Sequence, residues 1–151
     1  MINYTISVGN ENDTAAIAQF QVDMAQESEG TALDHELVLK GVAAAMADKY
    51  KGTYIVARVE GEAIGSLMLT REWSDWTNKW YWWIQSVYVK PEYRGKGAYR
   101  AMYQKIKEMA REEGIAQIRL NVDKTNYSDQ KVFQKLGMAD CHYYMYEEVL
   151  K

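Results

Sequence analysis

The chain has 151 residues, of which 18 are basic and 21 acidic, with a formal net charge of −3 and a single cysteine, Cys141. This length suits one ordinary domain over residues 1–151, and the mildly acidic charge argues against nucleic acid as a partner. The lone cysteine excludes a disulfide framework. The sequence has neither a run of ~20 apolar residues nor an opening signal-peptide pattern, so we expect a cytoplasmic protein without a membrane partner.

The first third of the sequence predicts a short strand and two helices. Residues 2–8 alternate apolar and polar side chains, as a half-buried strand does. A helix follows, capped by Asn12 or Asp13, and the polar segment 27–31 breaks it before a second helix over about 34–48. Two acidic residues are therefore expected between the helices: Glu27 and Glu29.

A hairpin and a tryptophan-rich turn come next. Strands over 53–60 and 63–73 flank a tight turn in which Gly61 supplies the positive φ. A polar turn over 74–79 then leads into a central strand. All five tryptophans fall between positions 73 and 83, which concentrates aromatic surface around this turn.

The second half predicts a parallel crossover. The central strand has a near-continuous apolar run, typical of a strand covered on both faces, and a proline ends it. A helix over 95–113 closes at Gly114, and the strand 115–122 follows without a hairpin, which implies a parallel, right-handed connection. A short helix after Asn126 and a final strand over about 140–149 complete an α/β domain with a mixed sheet.

The junction between the central strand and the next helix is basic and rich in glycine. Its sequence is Arg94-Gly95-Lys96-Gly97-Ala98-Tyr99. A helix start leaves backbone N–H groups without intrahelical partners and presents the positive end of the helix dipole, so it favours an anion. The two glycines let a large anion approach the backbone, and Arg94 and Lys96 can pair with phosphate oxygens.

Other phosphate-binding loops do not fit this junction. The sequence contains no Gly-x-x-x-x-Gly-Lys-Ser/Thr run, and a dinucleotide fingerprint needs a third glycine where Arg100 stands. What remains is Arg-x-x-Gly-x-Gly/Ala after an apolar strand, which resembles the acetyl-CoA loop of the GNAT superfamily of N-acetyltransferases. Tyr99 departs from that loop because it occupies the last small-residue position.

A second segment carries the same resemblance. Residues 126–138 predict a helix with Asn126 or Ser128 at its start and Gly137 after its end. The superfamily has an asparagine, an aromatic residue seven positions later and then Leu-Gly-Phe at this distance after the loop. Four residues fit that pattern here: Asn126, Phe133, Leu136 and Gly137. The resemblance implies a single-domain fold with a mixed, mostly antiparallel sheet, a splayed parallel pair of central strands and about four helices.

The resemblance also implies that the chain binds acetyl-CoA and moves its acetyl group to a primary amine. Loop amides would hold the pyrophosphate, and the backbone of the central strand would pair with the pantetheine arm and polarise the thioester carbonyl. The expected cofactor-binding residues are Val87, Tyr88, Val89, Arg94, Gly95, Lys96, Gly97, Ala98, Tyr99, Asn126 and Phe133. No metal is expected.

Catalysis by direct attack requires a base, because an ammonium group has no lone pair. Many family members place a glutamate where this sequence has Gln85, and a proton-donating tyrosine where it has Phe133. Unless the acceptor enters already neutral, we expect Glu72 or Asp75 to accept its proton through water. Tyr127 is among the tyrosines that can replace the missing donor.

The acceptor pocket is expected between the first two helices, the end of strand 63–73 and the turn after it. Acidic and aromatic side chains in these segments suit a cationic amine, since carboxylates and ring faces both attract it. The expected substrate-binding residues are Glu27, Glu29, Trp73, Trp76 and Gln85. Glu27 is also a further candidate for the base.

The two departures at Gln85 and Phe133 leave a second function open. A protein that keeps the cofactor site without a base and an acid would be an acyl-CoA-binding module with little or no transfer activity. The acceptor, a small-molecule or peptide amine, is not assigned by the sequence. A small domain so rich in aromatic residues can also form a homodimer.

Overall fold

The computed structural model describes all 151 residues, which fall into two compact units, residues 1–121 and 122–151. The first unit contains one five-stranded sheet, whose strands follow chain order from β1 to β5. Its elements are β1 (Thr5–Val8), α1 (Thr14–Glu29), α2 (His35–Ala47), β2 (Thr53–Val59), β3 (Glu62–Ser74), β4 (Lys79–Val89), α3 (Ala98–Glu113) and β5 (Gln117–Leu120). No helix combines the length and apolar character that crossing a bilayer requires.

The strand pairing confirms the predicted mixed sheet. Neighbouring strands are antiparallel from β1 to β4, and β4 pairs with β5 in parallel after the crossover through α3. Tyr54 and Val56 of β2 belong to a core cluster with α1 and α2. Ile55 and Ala57 point to the opposite face, on which α3 contacts β2, and both are fully buried. Because both faces of β2 are covered, its apolar run is continuous.

A bulge interrupts β4 near its end. The register shifts after Gln85, so that Ser86 and Val87 together oppose a single residue of β3, Leu67. Ser86 adopts a left-handed φ of 53°. A bulge of this kind takes one residue out of the hydrogen-bonding ladder and re-aims the side chains that follow.

The parallel pairing of β4 with β5 is short. It ends at Ile84 and Leu120, although β4 continues to Val89. Beyond Ile84 the backbone of β4 therefore has no partner in β5. The strand β5 itself ends at Leu120, so the backbone of β4 beyond Ile84 is available on that side to an extended ligand. The splay of the strand pair that the family resemblance implies stays a prediction.

The end of α1 differs from the prediction. The helix continues through Glu27 and Glu29 and ends only at Gly30, which has a left-handed φ of 63°. The predicted break therefore falls at Gly30, within the segment 27–31, but both glutamates lie in the last helical turn and not between the helices. The hydroxyl of Ser28 donates to the carbonyl of Met24 at 2.7 Å, so this polar residue bonds within the helix instead of ending it.

The start of α1 also differs from the prediction. The side chain of Asn10 accepts a hydrogen bond from the N–H of Asn12 at 2.9 Å, and Asp13 accepts one from the N–H of Asn10 at 2.9 Å. These bonds cap a short 3-10 turn over Glu11–Asp13, and α1 follows it. Asp13, one of the two predicted candidates, occupies the N-cap position of α1, but its side chain makes no capping bond because it faces Arg58.

The second unit contains one helix, α4 (Tyr127–Lys135). The side chain of Asn126 accepts from the N–H of Asp129 at 3.1 Å, and Gly137 follows the helix with a φ of 106°, as predicted. The predicted final strand over 140–149 is wrong: residues 139–151 form no helix or strand, and all of them are exposed. An alternating apolar pattern forms a strand only where another strand pairs with its backbone.

Candidate active site

The loop between β4 and α3 exposes backbone at the start of a helix. Gly95 and Gly97 have φ values of 72° and 87°, which residues with a Cβ adopt only at a cost. A Cβ at either position would meet no atom within 4 Å, so backbone conformation explains both glycines. Gly97 is the N-cap of α3 and offers no side chain to the first-turn N–H groups. The helix start therefore presents donors and a positive dipole end to an anion.

Arg94 is held beside this helix start by three contacts. Its Nε donates to the carbonyl of Val89 at 2.8 Å, and its Nη2 donates to Glu27 Oε2 at 2.7 Å. Its guanidinium carbon lies 5.2 Å from the centroid of the Tyr88 ring. The arginine is thus fixed between the end of β4 and the last turn of α1, with about half of its side chain exposed.

Lys96 is tied within the same loop. Its Nζ donates to the carbonyl of Glu92 at 2.9 Å, and its own carbonyl accepts from the hydroxyl of Tyr4 at 3.0 Å. Together with the two glycines and Arg94, it gives the loop the donors and the positive charge that fit a diphosphate. Arg94 uses two of its five N–H donors for Val89 and Glu27, so other donors of the same guanidinium can bind a phosphate oxygen.

Glu27, a predicted acceptor residue, contacts Tyr88, a predicted cofactor-binding residue. The Tyr88 hydroxyl donates to Glu27 Oε1 at 3.3 Å, and the Tyr88 ring stacks on Phe20 of α1 with a centroid distance of 5.3 Å. Burial, and then the negative charge of Glu27, raise the pKa of Tyr88, so its hydroxyl stays protonated near neutral pH. The carboxylate of Glu27 is therefore shared by a tyrosine hydroxyl and Arg94.

Glu72 belongs to a second cluster on the sheet. Its Oε1 accepts from the indole nitrogen of Trp83 at 2.8 Å, and Arg119 Nη1 lies 3.4 Å from both of its oxygens. The Arg119 guanidinium covers the Tyr81 ring at 4.4 Å. Glu72 pairs with Tyr81 across the hairpin, and from Tyr81 to Gln85 the strand rises about 13 Å, so this cluster is distinct from the bulge.

The β3–β4 turn carries the other predicted acceptor residues. Trp76 is 93% exposed, and the Trp73 and Trp80 rings meet edge to face at 5.0 Å. From Trp80 to Gln85 the strand rises about 16 Å. The predicted acceptor residues therefore occupy three places: Trp73 and Trp76 lie at the hairpin end, beside the predicted base Asp75, Gln85 lies at the bulge end of β4, and Glu27 and Glu29 lie in the last turn of α1.

Three residues that the sequence analysis does not include complete these contacts: Phe20, Thr70 and Arg119. Gln85 donates from Nε2 to Thr70 Oγ1 at 2.6 Å. Thr70 could have been found from strand alternation, because it shares a face with Glu72, and Phe20 from helical spacing, because it lies seven residues before Glu27. Arg119 depends on the β4–β5 register, for which the sequence carries no signal.

The second unit holds three predicted site residues. The Asn126 amide donates to Asp129 Oδ2 at 2.9 Å in addition to its capping bond. Tyr127 is 66% exposed in the first turn of α4, and Phe133 is partly buried. Their roles towards cofactor and leaving group remain predictions.

The chain is similar to proteins of known class. Residues 14–138 match the model of the acetyltransferase (GNAT) family. A thialysine N-epsilon-acetyltransferase from Bos taurus is 36% identical over 58 residues, which cover 38% of this chain and 34% of that protein. The enzyme of the same name from Sus scrofa is 35% identical over 68 residues, which cover 45% of this chain and 39% of that protein. The chain thus spans less than half the length of these relatives.

A solved structure is similar over the full length. The crystal structure of a possible acetyltransferase from Clostridium difficile 630 has a TM-score of 0.91 and 38% sequence identity, and the match covers 100% of this chain and 99% of that chain. The family match over residues 14–138 and the full-length structural match both include the glycine loop and the bulged strand β4.

Proposed function

The chain belongs to the acetyltransferase (GNAT) family, and from that premise we propose that it moves an acetyl group from acetyl-CoA to a primary amine by direct attack. One observation carries the proposal: a helix start capped only by Gly97 follows a strand end that has no partner in β5. The first feature suits a diphosphate, and the second suits an extended amide-containing chain such as pantetheine.

The residues around the bulge would orient the reaction. When bound, acetyl-CoA supplies an acetyl group activated as a thioester. The first-turn amides of α3, with Arg94 and Lys96, would hold the diphosphate, and the backbone of Val87, Tyr88 and Val89 would align the pantetheine arm. An N–H of this strand pointing at the carbonyl oxygen would stabilise the charge that develops during attack.

Proton removal from the acceptor falls to a carboxylate acting through water. Gln85 is neutral, and the Glu27 carboxylate is held by Arg94 at 2.7 Å, a closer contact than the 3.4 Å between Glu72 and Arg119. We therefore keep Glu72 and Asp75 as the proposed acceptors of the proton. Both lie too far along the sheet for direct contact at the bulge. Glu72→Gln should lower kcat without changing KM for acetyl-CoA, and an unchanged kcat would remove Glu72 from the mechanism.

The proposed acceptor is a compact primary amine on a flexible, lysine-like chain. The curated relatives are named for the ε-amino group of thialysine, and the exposed neighbours Trp76 and Asp75 offer a ring face and a negative charge to an ammonium group. Release of CoA thiol should be measured with acetyl-CoA and a panel of thialysine, lysine, polyamines, aminoglycosides and peptides. No release from any of them, together with tight CoA binding, would favour a binding module.

A matched glycine pair tests the loop directly. Gly97→Ala should raise KM for acetyl-CoA about tenfold, because a Cβ at a φ of 87° costs about 1–2 kcal/mol and distorts the helix start. Gly61→Ala places the same strain, at a φ of 83°, in the β2–β3 turn and should leave KM unchanged. Equal KM values for both variants would count against a diphosphate site at this loop.

A further inference from the structure

The cluster around Glu72 contains an arginine to which the proposed function gives no role. Arg119 of β5 donates from Nε to Gln117 Oε1 at 3.3 Å, and its Nη1 lies 3.4 Å from both oxygens of Glu72. These contacts leave the two N–H groups of Nη2 outside the bonds of the cluster. All three residues belong to the unit 1–121, so their mutual positions depend on the five-stranded sheet alone.

Two aromatic rings fix the plane of this guanidinium. Its carbon lies 4.4 Å from the centroid of the Tyr81 ring and 5.8 Å from that of the Trp83 ring. Trp83 also donates from its indole nitrogen to Glu72 Oε1 at 2.8 Å, which holds the carboxylate beside the arginine. A guanidinium held in this way is already oriented before a ligand arrives, and its planar fork of donors matches a carboxylate.

The ion pair between Glu72 and Arg119 is long. Its N–O distance of 3.4 Å compares with 2.7 Å in the two shorter carboxylate–arginine pairs of the same unit. Glu72 is 43% exposed, and its short bond comes from Trp83 instead of the arginine. A long and partly exposed pair is weak, so Arg119 can bind a second carboxylate without first giving up a strong bond.

One face of β4 leads from this cluster to the bulge. Trp83 and Gln85 are two positions apart on the strand, so their side chains share that face. Gln85 pairs with Met68 of β3, and beyond the bulge Tyr88 pairs with Ser66. Because Met68 and Ser66 are also two positions apart, the bulge keeps Tyr88 on the same face. A continuous row of side chains therefore connects the arginine to the strand segment proposed to hold the thioester.

The length of this row matches a lysine-like acceptor. From Trp83, which pairs with Arg119, to Val87 the strand advances about 10–13 Å, since each residue adds about 3.3 Å and the bulge takes up one residue. The ε-amine of extended lysine lies about 7.5 Å from its carboxylate carbon. A hydrogen bond from a guanidinium adds about 2.9 Å. An amine placed at the bulge can therefore carry a carboxylate that reaches the arginine.

We propose that Arg119 binds the carboxylate of the acceptor, so that the enzyme prefers a primary amine whose chain ends in a carboxylate at the spacing found in lysine. This inference rests on the proposed function, because it assigns the far end of the same acceptor. Arg119 is then a specificity-determining residue, since it contacts neither the thioester nor the reacting amine. Glu72 and the two aromatic rings hold its guanidinium in place.

The first test compares lysine with cadaverine, which lacks only the carboxylate. In the wild type, kcat/KM should be at least about tenfold higher for lysine, because a hydrogen-bonded charge discriminates strongly against an acceptor without it. Arg119→Gln should bring the lysine-to-cadaverine ratio to about one by raising KM for lysine. The ratio cancels any effect that the substitution has on both acceptors.

Two further variants serve as controls for this ratio. Arg119→Lys keeps the charge but loses the planar fork, so it should give an intermediate ratio. Arg111→Gln removes an arginine from the last turn of α3 and should leave the ratio unchanged. A wild type with equal kcat/KM for the two acceptors overturns the inference. A ratio retained in Arg119→Gln, or one lost only because KM for cadaverine falls, overturns it as well.

The second test changes the length of the acceptor. Ornithine is one methylene shorter than lysine, and putrescine is ornithine without its carboxylate. The ornithine-to-putrescine ratio of kcat/KM should be smaller than the lysine-to-cadaverine ratio, because the shorter chain cannot reach both ends of the row. Equal ratios contradict the spacing and overturn the inference, but they leave the proposed function intact. No release of CoA thiol with any amine would instead overturn the proposed function, and this inference with it.

Discussion

Two carboxylate–arginine pairs in the first unit have the same length but different surroundings. Asp13 Oδ2 lies 2.7 Å from Arg58 Nη2, and Glu27 Oε2 lies 2.7 Å from Arg94 Nη2. The side chains of Asp13 and Arg58 are 6% and 19% exposed, against 42% and 46% for Glu27 and Arg94. The first pair makes two parallel bonds, at 2.7 and 2.8 Å, whereas the second makes one.

The two pairs contribute differently to stability because one is buried and the other is exposed. Removing one partner of a buried pair leaves an uncompensated charge away from water, so the Asp13–Arg58 pair holds the segment before α1 onto β2. An exposed pair contributes little to stability, and its partners can exchange at low cost. Arg94 lies in the loop proposed to hold a diphosphate, which makes the exposed pair suited to function and the buried pair suited to structure.

Asp13→Ala gives the largest expected effect. It leaves the Arg58 guanidinium without its carboxylate and removes the acceptor of the Asn10 N–H. We expect the free energy of unfolding to fall by about 3 kcal/mol, as measured by urea denaturation. The matched control is Glu11→Ala, which removes an exposed carboxylate from the same turn. It should change the free energy of unfolding by less than ~0.5 kcal/mol. Similar losses in both variants would contradict a buried ion pair.

The same carboxylate makes stability depend on pH. Hydrogen bonds from Arg58, which outweigh the opposing effect of burial, lower the pKa of Asp13. Because the folded pKa lies below the unfolded value of about 3.9, the pair stabilises the fold above that pH, and its contribution is lost as pH falls through the folded pKa. The Tm difference between wild type and Asp13→Asn should be constant above about pH 5 and shrink below about pH 4. A difference that persists in stronger acid would exclude this charge as the cause.

Local signals in the sequence predict the elements whose ends depend on a few neighbouring residues. Asp34 caps α2, Gly61 takes the positive φ of the β2–β3 turn, and Gly114 ends α3 with a φ of 70°. The arginine that binds Asp13 lies 45 positions away. Nothing near Asp13 specifies that partner, so a local pattern predicts its N-cap position but not the contact that its side chain makes.

The site shows the same division between local and distant signals. The glycines of the loop follow from a motif, but Glu27 meets Arg94 across 67 positions, and Glu72 meets Arg119 across 47. Each contact depends on how elements pack and on strand register, which residue types alone do not specify. The strand expected over 140–149 fails for a related reason, since its formation requires a pairing edge as well as a suitable sequence.

Arg94→Gln tests the exposed pair from the loop side. Loss of the guanidinium removes one charge-assisted contact to the proposed diphosphate, so KM for acetyl-CoA should rise about tenfold. The free energy of unfolding should change by less than ~1 kcal/mol. Arg111→Gln removes the same charge from the last turn of α3, at the far end of that helix, and should leave KM unchanged. If both variants raised KM equally, net charge and not the loop contact would be responsible.

Glu27→Gln should give the smallest effect, with the opposite sign. The amide keeps an acceptor for the Tyr88 hydroxyl but removes the negative charge that competes with a diphosphate for Arg94. KM for acetyl-CoA should therefore fall about threefold, with Glu29→Gln in the same turn as the unchanged control. A rise in KM for acetyl-CoA would instead indicate that Glu27 positions Arg94 for binding the cofactor. Opposite signs for the two variants would distinguish this exchangeable pair from the buried one, in which loss of either Asp13 or Arg58 lowers stability.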